Sequence, residues 1–504
     1  MFEYLSFLRP PPEACPLGQP VTFVPQIAND LRTEICETEH DIYFTWQSDS
    51  GALHRGGFTK LTTWKPGSAS YKPLSVALPT EARPGDTWRL CLAVNSNPGS
   101  RSSRENSTRD HYYSLVLDFT QPEFGRLPLA VTSLPISVLV GENRETRATR
   151  STPSKQSKVK SKPTEHSVAK QEKIERLYSL PSNWGTLRIT EQTSFDLDKR
   201  GLYTCMPRFG FTNSGARSEL ENMVRVARVW RIDCSLSRPM IIHRDSGVGA
   251  SWWLAKLLAQ PESPDKRHEL IEAFRTRLQP ANQDRILQVI ELGAGTGLVS
   301  LVLGALLAGY SRNVRNVDQE QEERAGPFVC AKILATDLFS AIELIDHNRL
   351  ANSHLFDDRI NTVEGSEESR RTCKIELHAT ELDWDNPIPG HVWDTDRMSG
   401  SQCPFDVIIM ADVTYNTASF GALLDTLVGL LQGPSDSGSS PIVLLAYKCR
   451  DPAERTLWTD ALARGISFVQ VDTVKGVREP AVEIWLGGWE RDVGSLWSGI
   501  RVDM

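Results

Sequence analysis

The C-terminal half of the chain alternates short apolar runs with longer segments in which apolar residues recur at helical spacing. Strand-like runs lie at 286–290, 330–336, 375–382, 405–411, 442–447, 467–474 and 482–486. Helical spacing is found at 247–258, 269–278, 298–307, 338–350, 420–431 and 452–464. This alternation is typical of an α/β domain with a seven-stranded, mostly parallel sheet. A short polar turn joins the last two strands, so the final strand is expected to run antiparallel.

The first 142 residues have a different rhythm, with short β-like runs separated by turns rich in Pro, Gly and Ser. The runs lie at 21–24, 42–46, 88–94, 112–119 and 127–140. They predict an N-terminal β-rich domain at 1–142. Trp46, Trp64 and Trp88 are interpreted as core residues, and no catalytic spacing is found among them. Recognition of a substrate or partner is therefore the expected use of this domain.

Residues 143–173 are basic and almost free of apolar side chains. The cations are Arg144, Arg147, Arg150, Lys155, Lys158, Lys160, Lys162, Lys170 and Lys173. Such a composition predicts a disordered linker. A solvated tether and a nuclear address or nucleic-acid patch are both open interpretations. From 174 onward, strand-like runs at 187–190, 229–232 and 240–243 are interpreted as a β extension of a C-terminal domain at 174–504.

The composition excludes several classes of protein. A net charge of −7 does not indicate a general nucleic-acid binder. The nine cysteines form no CxxC pair, so reduced thiols and no metal site are expected. No apolar run is long enough for a membrane span, and the first residues do not resemble a secretory signal. A monomer in the cytoplasm, the nucleus or both is expected.

A glycine-rich turn follows the first strand of the α/β pattern, in the segment 291–298 (ELGAGTGL). Strand, glycine turn and helix form the ligand-binding opening of doubly wound domains. The third glycine of the dinucleotide pattern is replaced by Leu298, and no Lys-Ser/Thr pair is present for a triphosphate. Glu291 beside the turn suits a ligand with an amine, and Asp337 is placed to hold ribose hydroxyls. S-adenosylmethionine is the predicted ligand; a Rossmann-like domain binding another ligand is the alternative.

Four polar or aromatic residues, Glu291, Asp337, Trp384 and Asp412, follow four of the predicted strands. Ligands of such sheets bind beyond the carboxyl ends of the strands. These side chains are therefore expected to meet at one rim.

The segments 291–298, 336–338 (TDL), 382–384 (LDW) and 411–415 (ADVTY) resemble those of the seven-β-strand protein-lysine methyltransferases. The resemblance covers about residues 185 to 490 and implies a class I methyltransferase sheet and methyl transfer to a protein lysine. It implies that Gly293, Ala294, Gly295 and the adjoining Gly297 form the cofactor loop. Asp337 would hold the ribose, Trp384 would pack on the adenine, and Ala411 would lie beside the cofactor.

Asp412 and Tyr415 are the predicted catalytic pair. Asp412 is expected to hydrogen-bond the acceptor amine, and Tyr415 to wall the channel through which that amine enters. Helix capping for Asp412, core packing for Tyr415 and packing between loop and sheet for Trp384 are the alternatives. The family has a tryptophan near the cofactor before its first helix; the sequence at 248–253 (VGASWW) makes Trp252 the candidate, with Trp253 as the alternative.

Two other functions are compatible with the same residues. One is a small-molecule N-methyltransferase with a nicotinamide-like acceptor, which a closed lid would favour. The other is a non-catalytic interaction protein that retains the cofactor fold. An open acidic rim would instead favour a protein substrate bearing a lysine, and neither a membrane nor a nucleic acid is expected as a partner.

Overall fold

The computed structural model describes residues 1–66, 72–94, 115–121, 124–141, 169–192, 245–259, 269–279, 286–315, 328–356, 373–393, 405–433 and 440–492. The strands predicted at 229–232 and 240–243, and the predicted linker up to 168, lie outside these residues. At the end of that linker, Lys170 forms an antiparallel bridge with Pro12 and Lys173 begins a strand. Residues 169–173 are therefore joined to the N-terminal β structure.

The N-terminal half consists of β-strands in two sheets. The strands are β1 (Tyr4–Arg9), β2 (Ala14–Pro16), β3 (Pro20–Ala28), β4 (His40–Ser48), β5 (Thr59–Trp64), β6 (Leu74–Ala77), β7 (Thr87–Val94), β8 (Val116–Asp118), β9 (Val131–Ser133), β10 (Ile136–Leu139), β11 (Lys173–Ser179) and β12 (Thr186–Gln192). One sheet has the strand order β1-β3-β6. In the other sheet, six strands follow the order β12-β11-β9-β7-β10-β2; β4 pairs with β7 and β5, and β8 pairs with β11. Trp46, Trp64 and Trp88 are buried, which confirms their prediction as core residues.

The hairpin β11–β12 is hydrogen-bonded to the N-terminal half. Strand β11 pairs with β8 and with β9, in addition to β12. The sequence assigned this segment to the C-terminal domain as an extension, whereas its backbone hydrogen bonds continue the sheet of the first half. The hairpin is thus the place where the two halves of the chain meet.

The C-terminal half forms a seven-stranded sheet. Its strands are β13 (Leu287–Leu292), β14 (Phe328–Asp337), β15 (Cys373–Glu381), β16 (Val407–Ala411), β17 (Ile442–Tyr447), β18 (Ile466–Val474) and β19 (Val482–Trp489). Their order is β15-β14-β13-β16-β17-β19-β18. Strand β19 runs antiparallel to both neighbours, and the other pairs are parallel. The predicted fold class, an α/β sheet of this kind behind β-rich N-terminal sheets, is confirmed.

Helices cover both faces of this sheet. They are α1 (Asp245–Ala259), α2 (Glu269–Leu278), α3 (Leu298–Arg315), α4 (Phe339–Ala351), α5 (Phe420–Gln432) and α6 (Thr456–Leu462). The helix predicted at 452–464 is a 3-10 turn, Pro452–Arg455, followed by α6. Apolar side chains of α1, α2 and α3 share one core with Phe2, Tyr4 and other residues of the N-terminal half, and α5 and α6 pack on the opposite face. The two halves therefore share a hydrophobic core.

The expectation that all nine cysteines are reduced is wrong for Cys330, which is disulfide-bonded. Cys15, Cys36, Cys91 and Cys449 are free thiols. Among the described helices, none combines the length and the apolar character needed to cross a membrane.

Candidate functional site

A pocket lies where the strand order reverses between β13 and β16, beyond the carboxyl ends of the strands, as expected for a doubly wound sheet. The predicted site residues that line it are Glu291, Gly293, Ala294, Gly295, Asp337, Trp384, Ala411, Asp412 and Tyr415. The predicted convergence of the strand ends on one rim is therefore confirmed. Gly297 and Trp252 do not line it.

The glycine loop between β13 and α3 is in a conformation that favours glycine. Gly293, Gly295 and Gly297 have φ values of +65°, +60° and +76°. A Cβ on Gly293 would lie 2.9 Å from Val413 Cγ1, whereas a Cβ on Gly295 would stand in open space. Gly297 closes the turn, donating its N–H to Ala294 O, and faces α4. Gly293 thus permits close packing, while Gly295 leaves room for a ligand.

Asp337 ends β14 and braces this loop. Its Oδ2 accepts the N–H of Gly295 at 2.7 Å, and its Oδ1 accepts the N–H of Leu338 at 2.7 Å. The carboxylate is half-buried and lines the pocket. The contact of Asp337 with a ribose stays a prediction. Its hydrogen bond to the backbone of the glycine loop is a second role, which the sequence did not indicate.

Asn348 on α4 connects the glycine loop to the N-terminal half. Its Nδ2 donates to Thr296 O at 2.9 Å and to Thr190 O at 3.0 Å, and its Oδ1 accepts the N–H of Thr190 at 2.8 Å. One turn later, Asn352 contacts the backbone of Arg188 in the same way. The two amides satisfy the backbone of β12, so α4 completes the edge of the N-terminal sheet.

Glu291, at the end of β13, is fully enclosed below the loop. Its Oε2 accepts the N–H of Ser300 at 2.9 Å and the Ser300 hydroxyl. Burial raises the pKa of Glu291 to about 7, although the hydrogen bonds from Ser300 oppose the shift. The carboxyl therefore holds a proton in the folded chain over a pH range in which it is ionised in the unfolded chain.

This shift predicts a pH-dependent contribution to stability. Between the ordinary pKa near 4.5 and the raised value near 7, the folded state binds more protons, so this group's contribution to the free energy of unfolding falls as pH rises. The total loss is roughly 3 kcal/mol at 1.36 kcal/mol per pKa unit. Urea unfolding of the natural chain and of Glu291→Gln at pH 5, 6, 7 and 8 measures it: the natural chain should lose stability relative to the variant. Parallel pH profiles of the two proteins would contradict the assignment.

Asp412 directly follows β16 and has a φ of +63°, a conformation that is unfavourable for a residue with a side chain. Its Oδ1 accepts hydrogen bonds from the Ser246 hydroxyl at 3.1 Å and from Arg450 Nη1. The helix-capping alternative is wrong, because the side chain of Asn416 caps the next 3-10 turn and Ser419 precedes α5. The carboxylate is held in the pocket by groups on α1 and after β17.

Tyr415 and Trp384 stand at the mouth of the pocket. Tyr415 is 49% exposed, so core packing is excluded for it. The ring of Trp384 is half-buried and partly packed on the core, and it lies 3.4 Å from a Cβ built on Gly293. Its buried indole Nε1 finds no hydrogen-bond partner within the described part of the chain. Trp384 therefore offers the pocket its ring.

The prediction for Trp252 is corrected. Trp252 lines a separate cavity, with its ring 5.3 Å from the Phe124 ring and Lys256 Nζ above it. Trp253 is 4% exposed and packs on Phe274. Helix α1 begins at Asp245, and the face that reaches the cofactor pocket carries Gly247. Five residues further, at 100° per residue, the chain faces another direction.

Ser246 and Arg450 are the site residues that the sequence analysis missed. Ser246 belongs to the first turn of α1, and Arg450 lies shortly after β17. A position just beyond the carboxyl end of a strand was the available signal for Arg450. No motif marked either residue, because each acts through Asp412.

The residues of the pocket fit S-adenosylmethionine. Open space in front of Gly295, the carboxyl groups of Glu291 and Asp337, and the ring of Trp384 suit a ligand with an amine, a ribose and an aromatic base. Glu291, Gly295, Asp337 and Trp384 would hold it.

Comparisons with known proteins agree with this ligand class. Residues 243–462 match a family model described as "Lysine methyltransferase". A search of curated proteins gives no match.

Solved structures similar to the chain include several methyltransferases. TYW2 of Pyrococcus horikoshii, solved with MeSAdo, is 14% identical, with a TM-score of 0.22; the match covers 42% of this chain and 61% of that one, less than two thirds of its length. The ribosomal protein L11 methylase of Lactobacillus delbrueckii subsp. bulgaricus is 15% identical, covering 45% and 80%, with a TM-score of 0.22. The O-methyltransferase TomG of Streptomyces achromogenes, solved with SAM, is 11% identical, covering 52% and 96%, with a TM-score of 0.24.

Proposed function

We propose that the chain, whose residues 243–462 match the lysine methyltransferase family model, transfers methyl groups from S-adenosylmethionine to a lysine side chain of a protein substrate. The match to this family supports methyl transfer from S-adenosylmethionine. The charge and the open mouth of the pocket support a protein lysine as the methyl acceptor.

The charge of the pocket is the observation that carries this proposal. Five of its lining residues are acidic: Glu291, Asp337, Asp383, Asp385 and Asp412. Glu291 is buried with a raised pKa and Asp412 is paired with Arg450, so Asp337, Asp383 and Asp385 carry the negative charge of the rim. None of the described lining residues is Lys, Arg or His. Such a rim attracts a cationic side chain and repels phosphate groups. It favours a lysine, and it disfavours a nucleic acid as the acceptor.

The open mouth supports a macromolecular substrate. Tyr415 is half exposed, and Leu338, which also lines the pocket, is 42% exposed. Phe339, the first residue of α4, is 76% exposed. Exposed apolar groups beside a pocket are typical of a surface that binds a protein chain. A small metabolite enclosed in the pocket would not contact the exposed side chain of Phe339.

The bound donor supplies an electrophilic methyl group on a sulfonium. The chain's own task is alignment and exclusion of water. The lysine ammonium must first give its proton to bulk water at the open mouth, and removal from water then favours the neutral amine. Asp412, fixed by Ser246 and Arg450, accepts a hydrogen bond from that amine and directs its lone pair into the pocket. Tyr415 lies against the aliphatic stem of the lysine and shields it from solvent.

Transfer of tritium from S-adenosyl-L-[methyl-³H]methionine to a cell extract tests the proposal. The purified chain is expected to label one or a few protein bands, and hydrolysis of those bands should yield radioactive methyllysine. Label on a small molecule would support the nicotinamide-like alternative instead. No label above that of a reaction without the chain would contradict methyl transfer.

Three finer statements belong to the same proposal. Within the family, the segments 291–298, 336–338, 382–384 and 411–415 together support a likeness to methyltransferase-like protein twenty-two. That protein and this chain should then label the same bands of one extract. A monomer is proposed because one chain supplies the whole pocket, and light scattering tests it. The basic residues of 143–173 support the nucleus beside the cytoplasm, and a fluorescent fusion with those cations replaced by glutamine tests this location.

A further inference from the structure

Two cations that follow β17, Lys448 and Arg450, lie buried among three carboxylates. Lys448 Nζ contacts Asp30 Oδ1 at 3.1 Å and Asp245 Oδ2 at 2.7 Å. Arg450 Nη2 contacts Asp30 Oδ2 at 2.8 Å, and Arg450 Nη1 contacts Asp412 Oδ1. Positive and negative groups therefore alternate in one continuous series from Asp245 to Asp412.

This series crosses from one half of the chain to the other. Asp30 belongs to the N-terminal half, two residues after β3, whereas Asp412 lines the cofactor pocket. The side chain of Asp30 is 0% exposed, and that of Arg450 is 13% exposed. Asp30 itself does not line the pocket. Within this series, Asp30 reaches the pocket through Arg450.

The buried cation ties the two carboxylates together. A charge removed from water is tolerated when it is paired and hydrogen-bonded. Burial opposes ionisation of Asp30, but Arg450 and then Lys448 outweigh burial and lower the pKa of Asp30 to about 2. Asp30 is therefore a fixed anion that holds one arm of the guanidinium. The planar fork of Arg450 then aims its other arm at Asp412.

We propose that Asp30 is a positioning residue of the methyltransferase site: it fixes Arg450, and Arg450 fixes the Asp412 carboxylate in the pocket. The proposal rests on the function of Asp412 given above. The N-terminal β-rich half is accordingly a part of the catalytic unit, in addition to any part it takes in recognition. Without the anion at position 30, Arg450 loses one of its two anchors, and the orientation of Asp412 is no longer unique.

Asp30→Asn, which keeps the shape and removes the charge, tests this in the full-length chain. S-adenosylmethionine affinity, measured by calorimetry, is expected to stay within about twofold of the natural value. The rate of tritium transfer to the extract proteins at saturating donor is expected to fall roughly 10- to 100-fold, as for other losses of alignment. Asp30→Glu should recover part of this rate. Asp41→Asn is the matched control, because Asp41 pairs with Lys60 on the surface of the same half.

A second variant covers the case in which Asp30→Asn does not fold. Arg450→Lys keeps a cation beside Asp30 but lacks the planar fork whose two arms point at Asp30 and at Asp412, so it should show the same loss of rate. The double variant Asp30→Asn/Arg450→Lys should be no slower than Arg450→Lys alone, because both changes interrupt one path. A natural rate in Asp30→Asn, or losses that multiply in the double variant, would overturn the proposal.

Unfolding in urea separates this proposal from the proposed function. If Asp30 acts on Asp412 through Arg450, the shifts in unfolding midpoint caused by Asp30→Asn and Asp412→Asn should not add. Additive shifts would overturn the positioning role even if methyl transfer is found. If the natural chain labels nothing in the extract, the proposed function fails, and non-additive midpoints would still establish the coupling of the two aspartates.

Discussion

Replacing Asp412 by asparagine is expected to slow methyl transfer roughly 100- to 1000-fold, while S-adenosylmethionine still binds. The amide has the size of the carboxylate, so the pocket keeps its shape. It lacks the charge that attracts the acceptor amine, and only one of its two atoms can accept a hydrogen bond from that amine. Arg450 also loses a charged partner, which weakens the orientation of the side chain. Tritium transfer and calorimetry on one preparation give both quantities.

Asp425→Asn is the control for this substitution. Asp425 pairs with Arg464 on the surface, and its side chain is 71% exposed. Exposed pairs contribute little, so activity and stability should stay close to those of the natural chain. If Asp412→Asn turns over at the rate of this control, Asp412 has no part in catalysis, and a helix-capping role is already excluded by Asn416.

Gly295→Val is expected to weaken binding of S-adenosylmethionine about 100-fold or more, which corresponds to about 2.7 kcal/mol. The residue has a φ of +60°, where a β-branched side chain is strained. No protein atom lies within 4 Å of a Cβ at this position, so the new side chain would occupy the space in front of the loop. The loss should therefore appear in the calorimetric affinity for the cofactor, and not only in the rate.

Gly421→Val is the matched control, because a Cβ on Gly421 also meets no atom within 4 Å and the residue lies in helix α5, away from the positive φ region. It should leave cofactor affinity unchanged. Thermal unfolding of both variants shows whether each is folded at the temperature of the titration. Equal affinities for Gly295→Val and for this control would mean that the ligand does not approach the glycine loop.

The sequence alone determined the order and kind of elements in the α/β half. Strand 442–447 and helix 269–278 were predicted with the bounds that the structure has. These segments carry their own signals, because a buried parallel strand is uniformly apolar and a covering helix is apolar at a fixed period. The local motif 291–298 likewise indicated the cofactor loop, since its glycines are required by the backbone of that turn.

The pattern of apolar residues predicted less well where a helix begins and which way its side chains point. Trp252 was assigned to the cofactor, but α1 starts earlier than its apolar pattern suggests and turns this residue away from the pocket. Strand β1 was not predicted, since its pairing with β3 depends on residues far along the chain. The hairpin β11–β12 was assigned to the second half for the same reason. The spacing of apolar residues identifies a strand or a helix. Which other elements it pairs with is decided by contacts between residues far apart in the chain.

Only the tertiary structure decided which charges meet. Asp30 and Arg450 are 420 residues apart, and no spacing rule connects a loop after β3 with a loop after β17. Asn348 joins Thr190, which lies 158 residues before it, to the glycine loop, which lies 52 residues before it. The sequence could name the residues at the strand ends, because backbone geometry places them on one rim. It could not name the residues that hold them, because a side chain's partner is set by packing between elements and not by the periodicity of either one.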